Sequence, residues 1–437
     1  MTGRWSCRSW WGGVRRVTGI FFPLREELGF EACELTPTVI RKVSVLAAET
    51  RSFARAVIAL EEADIQVSAK TVERVVHDVG AELAARRDAA PNSAAALAEH
   101  PQNVPDLAVV ECDGGRIRCR EPGRGPGVSL DGAGWREDKN ACLIRARRQT
   151  FDHDPQPEPP ACFCDAHHVA QLAATEALSL AAPAPRDPSV EQTEAAPPPE
   201  PLDWRPQRLV RTVLSSLAEA REFGRQMQRE AKRRRFYEAN AKAFRGDGLP
   251  GNWSIWKTRF SDFTPILDFI HALSYVFSAA KAVHSTSPED AWSQYLAWMR
   301  GCWQGEVDQV LGELRAWQAQ LGEPPDDAPD HDPRKMLAKT VGYLDHNRNR
   351  MRYPEYRRQG LPITTAGMES LVKEINYRAK GTEMFWNNPD GAEAILQLRA
   401  AALCDDDRLR RHLRQRPGSP FTRRPKAPKL PPRKIKS

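Results

Sequence analysis

"DLAVVECDGGRIRCRE", residues 106–121, decides how the rest of the chain is read. Leu107 to Val110 is a short apolar run closed by Cys112, Asp113, Gly114 and Gly115, the pattern of a buried strand bounded by turn residues. The glycine pair predicts a turn feeding a second strand, "RIRCR". The stretch "WREDKNACLIRARRQ" (135–149) predicts a third, with Ala141 to Ala146 as its apolar part. Together they predict an antiparallel meander, with an acid, Asp113, at the end of its first strand.

Outward toward the N-terminus, residues 36–86 predict three helices. Thr36-Pro37 suits an N-cap and first helical position. A second helix starts near Ser52, with Phe53, Ala56, Val57 and Leu60 on one face. Ser68 caps a third, with Val72, Val75, Val76, Val79 and Leu83 inward. The tight turn "ADIQV" between them, with Lys70, Arg74 and His77 outward, has the form of a helix-turn-helix, a form shared by bundles that bind nothing.

Outward toward the C-terminus, 181–203 is rich in Pro, Ala and acid and predicts a disordered insertion. A long basic helix is expected over roughly 205–243. "FRGDGLPGNW" is then a turn-rich segment around Asp247, and "FTPILDFIHALSYVF" an apolar run holding Asp268, then His271, and leading into a helix. Trp292, Trp298, Trp303 and Trp317 recur at roughly helical spacing, a helix-packing stripe. An acidic loop at 322–333 and a helix over 335–352 follow. In "TAGMESLVKEINYRAKG" (365–381), Glu369, Lys373, Asn376 and Lys380 fall on one helical stripe.

The 437 residues allow two or three domains. No run of about 18 uncharged apolar residues occurs, so a membrane span is not expected, and the start lacks the apolar region of a signal peptide. Nine scattered cysteines make a poor disulfide framework and fit a reducing, cytoplasmic compartment. "CFCDAHH" offers Cys162, Cys164, His167 and His168 to a zinc ion, but the spacing is atypical of structural sites, and ordinary loop residues are the first expectation. Of the net charge of +7, nine Lys/Arg and no acid lie in 414–437, leaving about −2 elsewhere. That proline-rich tail is expected to be disordered, either a solubilising segment or an arm for nucleic-acid backbone.

Asp113, Asp247 and Glu369 stand where carboxylates can gather, and such a cluster can hold two Mg²⁺ ions roughly 4 Å apart for phosphodiester displacement. Five stretches carry a family resemblance: "VVECDGGRIRCRE", "GWREDKNACL", "FRGDGLPGNWSIWKTRFSDFTPILDFIHALSYVF", "NRNRMRYPEYRRQGLPITTAGMESLVKEINYRAKGTEMFW" and "GAEAILQLRAA". They resemble, in order over roughly 22–415, bacterial insertion-sequence transposases of the ISKra family, which have Mutator-type relatives. The resemblance implies an α/β fold: an RNase H-like mixed sheet with a helical insertion, preceded by an all-α helix-turn-helix-like region. It implies a DDE triad of Asp113, Asp247 and Glu369 from the first strand, the fourth strand and a late helix. Asp247 is preferred to Asp268 as second Asp, with Asp268 and His271 as auxiliary residues.

The implied activity is cleavage of element ends and joining of 3′-hydroxyls to target DNA with two Mg²⁺ ions, for which Mn²⁺ can substitute. The implied partners are double-stranded DNA and further copies of the chain, with no membrane. The DNA-contacting set is Lys70, Arg74, Arg136, Lys139, Arg348, Arg350, Arg352, Lys373, Asn376 and Lys380, with Arg357, Arg358, Tyr353 and Tyr356 in the same basic, aromatic run and Trp135 beside the site. The rival expectations are an inactive or co-opted DNA-binding protein and a nuclease that only hydrolyses.

The expected organisation is an irregular 1–35, a helical 36–100, catalytic parts at 104–180 and 204–284 around the 181–203 insertion, a Trp-rich insertion at 285–340, a catalytic-helix region at 341–413, and the 414–437 tail. Related proteins often carry a cysteine-paired zinc motif ahead of "FPL". Here only Cys7 precedes Phe22-Pro23-Leu24, which implies a truncated or altered start.

Overall fold

A computed structural model of the chain describes residues 35–90, 104–120, 134–180, 204–364, 366–380 and 385–416, without the side chains of 175–180, 366, 367 and 369. The expectations for 1–34, for 91–103, for the insertion at 181–203 and for 417–437 of the tail lie outside these residues. Thr36, Ser52 and Ser68 each accept the N–H three residues on, at 3.3, 3.2 and 3.2 Å. Helices α1 (Pro37–Glu49), α2 (Phe53–Glu61) and α3 (Ala69–Asp88) therefore start where their caps predict. Lys70, Arg74 and His77 are exposed on α3, while Val72, Val75, Val76, Val79 and Leu83 are buried.

Strand β1 (Leu107–Arg118) runs unbroken through Gly114 and Gly115, so the expected turn and separate strand "RIRCR" are a single element. Neither glycine has a positive φ. Gly115 is needed for space instead, since a Cβ there would stand 2.7 Å from both carboxyl oxygens of Asp138 on β2 (Trp135–Arg147). Helix α4 (Ala166–Leu180) follows a 3-10 turn.

The expected basic helix from 205 begins as strand β3 (Gln207–Ser216) and becomes helical only at α5 (Ala220–Arg233). Pairing with β2 decides the first part: Val213 and Leu214, opposite Cys142 and Ala141, point to opposite faces as strand alternation requires. β4 (Ala241–Gly246), α6 (Pro250–Arg259), β5 (Thr264–Leu267) and α7 (Phe269–Val283) follow. Next come α8 (Pro288–Trp303), α9 (Val307–Leu321), α10 (Pro333–Asn347), α11 (Tyr353–Arg358), α12 (Ala366–Ala379), α13 (Pro389–Ala402) and α14 (Arg408–Gln415).

Among the described residues the strands form one mixed, open five-stranded sheet in the order β3-β2-β1-β4-β5. β1, β2 and β3 are antiparallel neighbours; β4 runs parallel to β1, and β5 to β4. Cys142 and Val213 face a core shared with α1–α3, α12 and α13. Ala141 and Leu214 face the other core, with Phe223 and Met227 of α5 and Phe260 beyond α6. Trp298 and Trp303 are fully buried in that second core, as the helical tryptophan stripe predicts.

Candidate active site

Cys112 pairs with Gly246, and Gly246 with Leu267. The next residues, Asp113, Asp247 and Asp268, therefore stand side by side where β1, β4 and β5 end their shared parallel register. Asp268 N–H donates to the Gly246 carbonyl at 3.0 Å, extending the ladder by one step. Open α/β sheets place ligands at the carboxyl ends of their parallel strands, and this row of acids occupies that edge.

The two candidates for second Asp are held differently. Asp247 is 9% exposed, and its Oδ1 accepts the Leu249 N–H at 3.0 Å and the Asn252 amide at 2.8 Å. The same Asn252 amide reaches the Cys112 carbonyl at 3.3 Å, tying β1 to the segment after β4 where their pairing ends. Burial pushes the Asp247 carboxyl above its ordinary range, against the opposing pull of His271 and these hydrogen bonds. Gly248 turns the chain at φ +97, and the Tyr343 hydroxyl donates to the Asp247 carbonyl at 2.7 Å. A Cβ at 248 would lie 2.5 Å from that tyrosine ring, so glycine is fixed there by both backbone and space.

Asp268 is fully buried and caps α7, accepting the His271 N–H at 3.3 Å and facing His271 Nδ1 at 2.8 Å. Its carboxylate is committed to the helix and the imidazole. The Cys112 thiol, pushed well up by burial, is pushed further by Asp247, Asp113 and Glu111. Asp247 and Asp113 thus share a neighbourhood with each other, with His271 at its edge.

Glu369 lies in the first turn of α12, and its side chain is outside the described set. The helix packs on β1 and β2 through Met368, Leu371, Ile375 and Ala379, in the core with Ile117 and Cys142. Its entry is fixed from the sheet: Arg245 donates to the Thr364 carbonyl and pairs with Glu111 at 2.5 Å, both side chains buried. Glu111 and Arg245 are register partners one alternation before Asp113 and Asp247. Among the described side chains no three or more of His, Cys, Asp and Glu gather closely enough to hold a metal ion. Asp113 and Asp247 offer hard oxygen donors of the kind Mg²⁺ takes; Cys162, Cys164, His167 and His168 likewise belong to no such group. Those four sit in the 3-10 turn and first turn of α4, where Phe163 anchors the segment in the core against Phe269 and Trp303.

The candidate DNA-contacting residues divide. Arg136, Arg348, Arg352 and Lys373 are exposed, as are Lys70 and Arg74. Lys139 is bonded to Glu137 at 2.9 Å. Arg350 lies 4.3 Å over the Trp253 ring. Asn376 and Lys380 are half-buried, with the Lys380 ammonium 5.6 Å over Trp135.

Tyr353 and Tyr356 correct the expectation that this aromatic run meets DNA, because both are fully buried under α8, Tyr353 in ring contact with Phe269 and with Tyr356. Arg357 is likewise no surface cation: it is fully buried, ion-paired with Asp154, and 4.2 Å over Trp303. Charge density in "YPEYRR" concealed this, since a short helix can aim one arginine inward when a carboxylate waits there.

Sequence reasoning passed over Asp138, Asn140 and Asn252. Asp138 is fully buried, receives the Asn140 amide at 2.8 Å, and has its carboxyl raised by burial. The Gly-Gly pair read as a turn was the available signal for it. The molecule is thus an α/β protein with a five-stranded mixed open sheet and an acidic row at its parallel edge. Compared with models of known protein families and with curated proteins, the sequence matches none. No described helix is long and apolar enough to cross a membrane.

Proposed function

We propose that the chain is a DDE-type DNA transposase with an RNase H-like catalytic fold, acting on double-stranded DNA as an assembly of two or more copies. One observation carries the reading: Asp113 and Asp247 are neighbours where the parallel pairing of β1 and β4 ends, and the late helix α12, bearing Glu369 in its first turn, is laid against β1. First strand, fourth strand and late helix are the elements from which the resembled family draws its three acids.

Asp113, Asp247 and Glu369 would hold Mg²⁺ or Mn²⁺, which supplies activation of the attacking hydroxyl and charge stabilisation on the leaving oxygen. The protein's own contribution is preorganisation. Leu249 and Asn252 fix one oxygen of Asp247 and leave Oδ2 to the site. Asp268 fixes the His271 ring, which then stands beside Asp247 to orient it or a phosphate. The buried Glu111–Arg245 pair sets where α12 begins. Exposed Arg136, Arg348, Arg352 and Lys373 supply phosphate contacts, so binding weakens steeply with salt.

The test uses the purified chain, Mg²⁺, and a DNA fragment carrying the sequence that flanks its own gene. Wild type is expected to give nicked and joined products, and Asp113→Asn neither, with DNA binding retained by both. Equal inertness with intact binding would establish the co-opted DNA-binding protein instead. Nicks without joined products would establish a hydrolytic nuclease.

A further inference from the structure

Away from the acidic row, a cavity of about 270 Å³ opens where α2 and α3 meet the end of α12 and the segment 385–391. Its inner wall includes Arg378, 1% exposed and held between two rings, Phe53 at 4.7 Å and Trp386 at 5.4 Å. Arg378 Nε donates to the Ala47 carbonyl at 2.7 Å. Its Nη2 is buried with no hydrogen-bond partner among the described residues. Burial, with Arg399 nearby, pulls its pKa down to about 10. Aromatic faces offset only part of the cost of a desolvated guanidinium, and unmade hydrogen bonds to a charged group are expensive. A cation so placed, lining an open cavity, calls for an anion.

The rest of the lining narrows the choice. Phe53, Phe385, Trp386 and Val76 give flat, apolar walls, while His77 and Asn387 bring polar groups to the rim. The volume is near the lower bound for small-molecule pockets. The guanidinium fork matches carboxylate and phosphate alike, but aromatic walls with hydrogen-bonding edges match a nucleobase. Lys70, Arg74 and His77 lie on one exposed face of α3, spaced i, i+4 and i+7, and His77 is at the mouth. A polynucleotide tracking that face would meet the cavity.

We propose that this cavity binds one unpaired nucleotide, its phosphate on Arg378 and its base against the Phe385–Trp386 wall. The source is either a free mononucleotide or an unpaired nucleotide of a bound strand. The site lies at the far end of the helix that bears Glu369, nine residues along, or roughly 13 Å. It goes beyond the proposed catalytic role and needs no metal.

The test is calorimetric titration of the full chain in EDTA with deoxynucleoside 5′-monophosphates, inorganic phosphate, and a short single-stranded oligonucleotide. One nucleotide per chain is expected, displaced by the oligonucleotide and bound more tightly than phosphate. Arg378→Lys should weaken binding roughly tenfold or more, because a point charge replaces the fork. Asn387→Trp, at an exposed lining residue, should block the cavity. Glu73→Gln, which removes an exposed lining carboxylate, should tighten binding about two- to fivefold. Binding of the oligonucleotide alone, lost in Arg378→Lys and Asn387→Trp, would place the source on the strand and support the proposal. Phosphate binding as tightly as nucleotide, or folded Asn387→Trp and Glu73→Gln proteins that bind like wild type, would overturn it. Because every arm is run without metal, its failure leaves the strand-transfer assay untouched, and the reverse also holds.

Discussion

Asp247 shows how a buried carboxylate is held against its own stability. Burial raises its carboxyl above the ordinary 3.8, so the folded chain holds that proton more tightly than the unfolded chain does. The sign follows: stability at this position is lowest at neutral pH, rises as pH falls through the folded value, and stops changing below the unfolded one. Asp247→Asn keeps the oxygen that accepts from Leu249 and Asn252 and removes the charge. We predict that it raises the Tm of the metal-free protein at pH 7 by about 1–3 °C, that the gain vanishes toward pH 3, and that strand transfer is lost. Unchanged or lower stability at pH 7 would show the carboxylate is already satisfied without a cation. The turn at Asp247 was legible because glycines flank the acid. Asp138 was hidden because its partner is Gly115, an absence of side chain one strand away.

Single helices were legible from caps and periodicity, but their docking was not. The caps at Thr36, Ser52 and Ser68 fixed the first three, whereas 207–216 read as helix because β3 and α5 together carry seven basic residues and its partner strand is some 70 residues earlier. The contact between α3 and α13 is another such case. A Cβ at Gly80 would meet the Ala394 carbonyl oxygen at 2.5 Å and its Cα at 2.6 Å. Alanine is the better helix former by about 1 kcal/mol, but overpacking against backbone costs about 1–3 kcal/mol and cannot be relieved by a rotamer. Gly80→Ala is therefore predicted to lower the urea midpoint with the slope unchanged. Ala394→Gly should not rescue it, since the clash is with main-chain atoms; full rescue, or a stabilised Gly80→Ala protein, would mean the helices separate freely.

Across the whole molecule, the N-terminal helices are joined to the C-terminal ones by charges more than 300 residues apart. Arg87 meets Glu393 at 2.7 Å and Arg399 meets Glu49 at 2.6 Å. Pairings at such separation leave no trace in local pattern, so this closure could not be read from the sequence. Its last piece is α14, held on one side by Arg408 with buried Glu230 at 2.6 Å, and on the other by Glu82, which takes His412 at 2.9 Å and Arg416 at 2.7 Å. Burial alone would raise the Glu82 carboxyl, but the hydrogen bonds from His412 and Arg416 outweigh it and bring it down to about 2. Burial also lowers the His412 pKa, so at pH 7 the imidazole is a neutral donor and Arg416 brings the charge. A depressed carboxyl adds stability that is present above its unfolded value of 4.5 and is lost as pH falls through the folded one. Hydrogen exchange of the 408–415 amides should accordingly be faster in Glu82→Gln than in wild type at pH 7, with the difference shrinking below pH 4.5 and gone near pH 2. Equal protection at pH 7 would mean that Glu230 and the apolar contacts of Leu409 and Leu413 hold the helix alone, and that the closure between the two ends of the chain does not depend on Glu82.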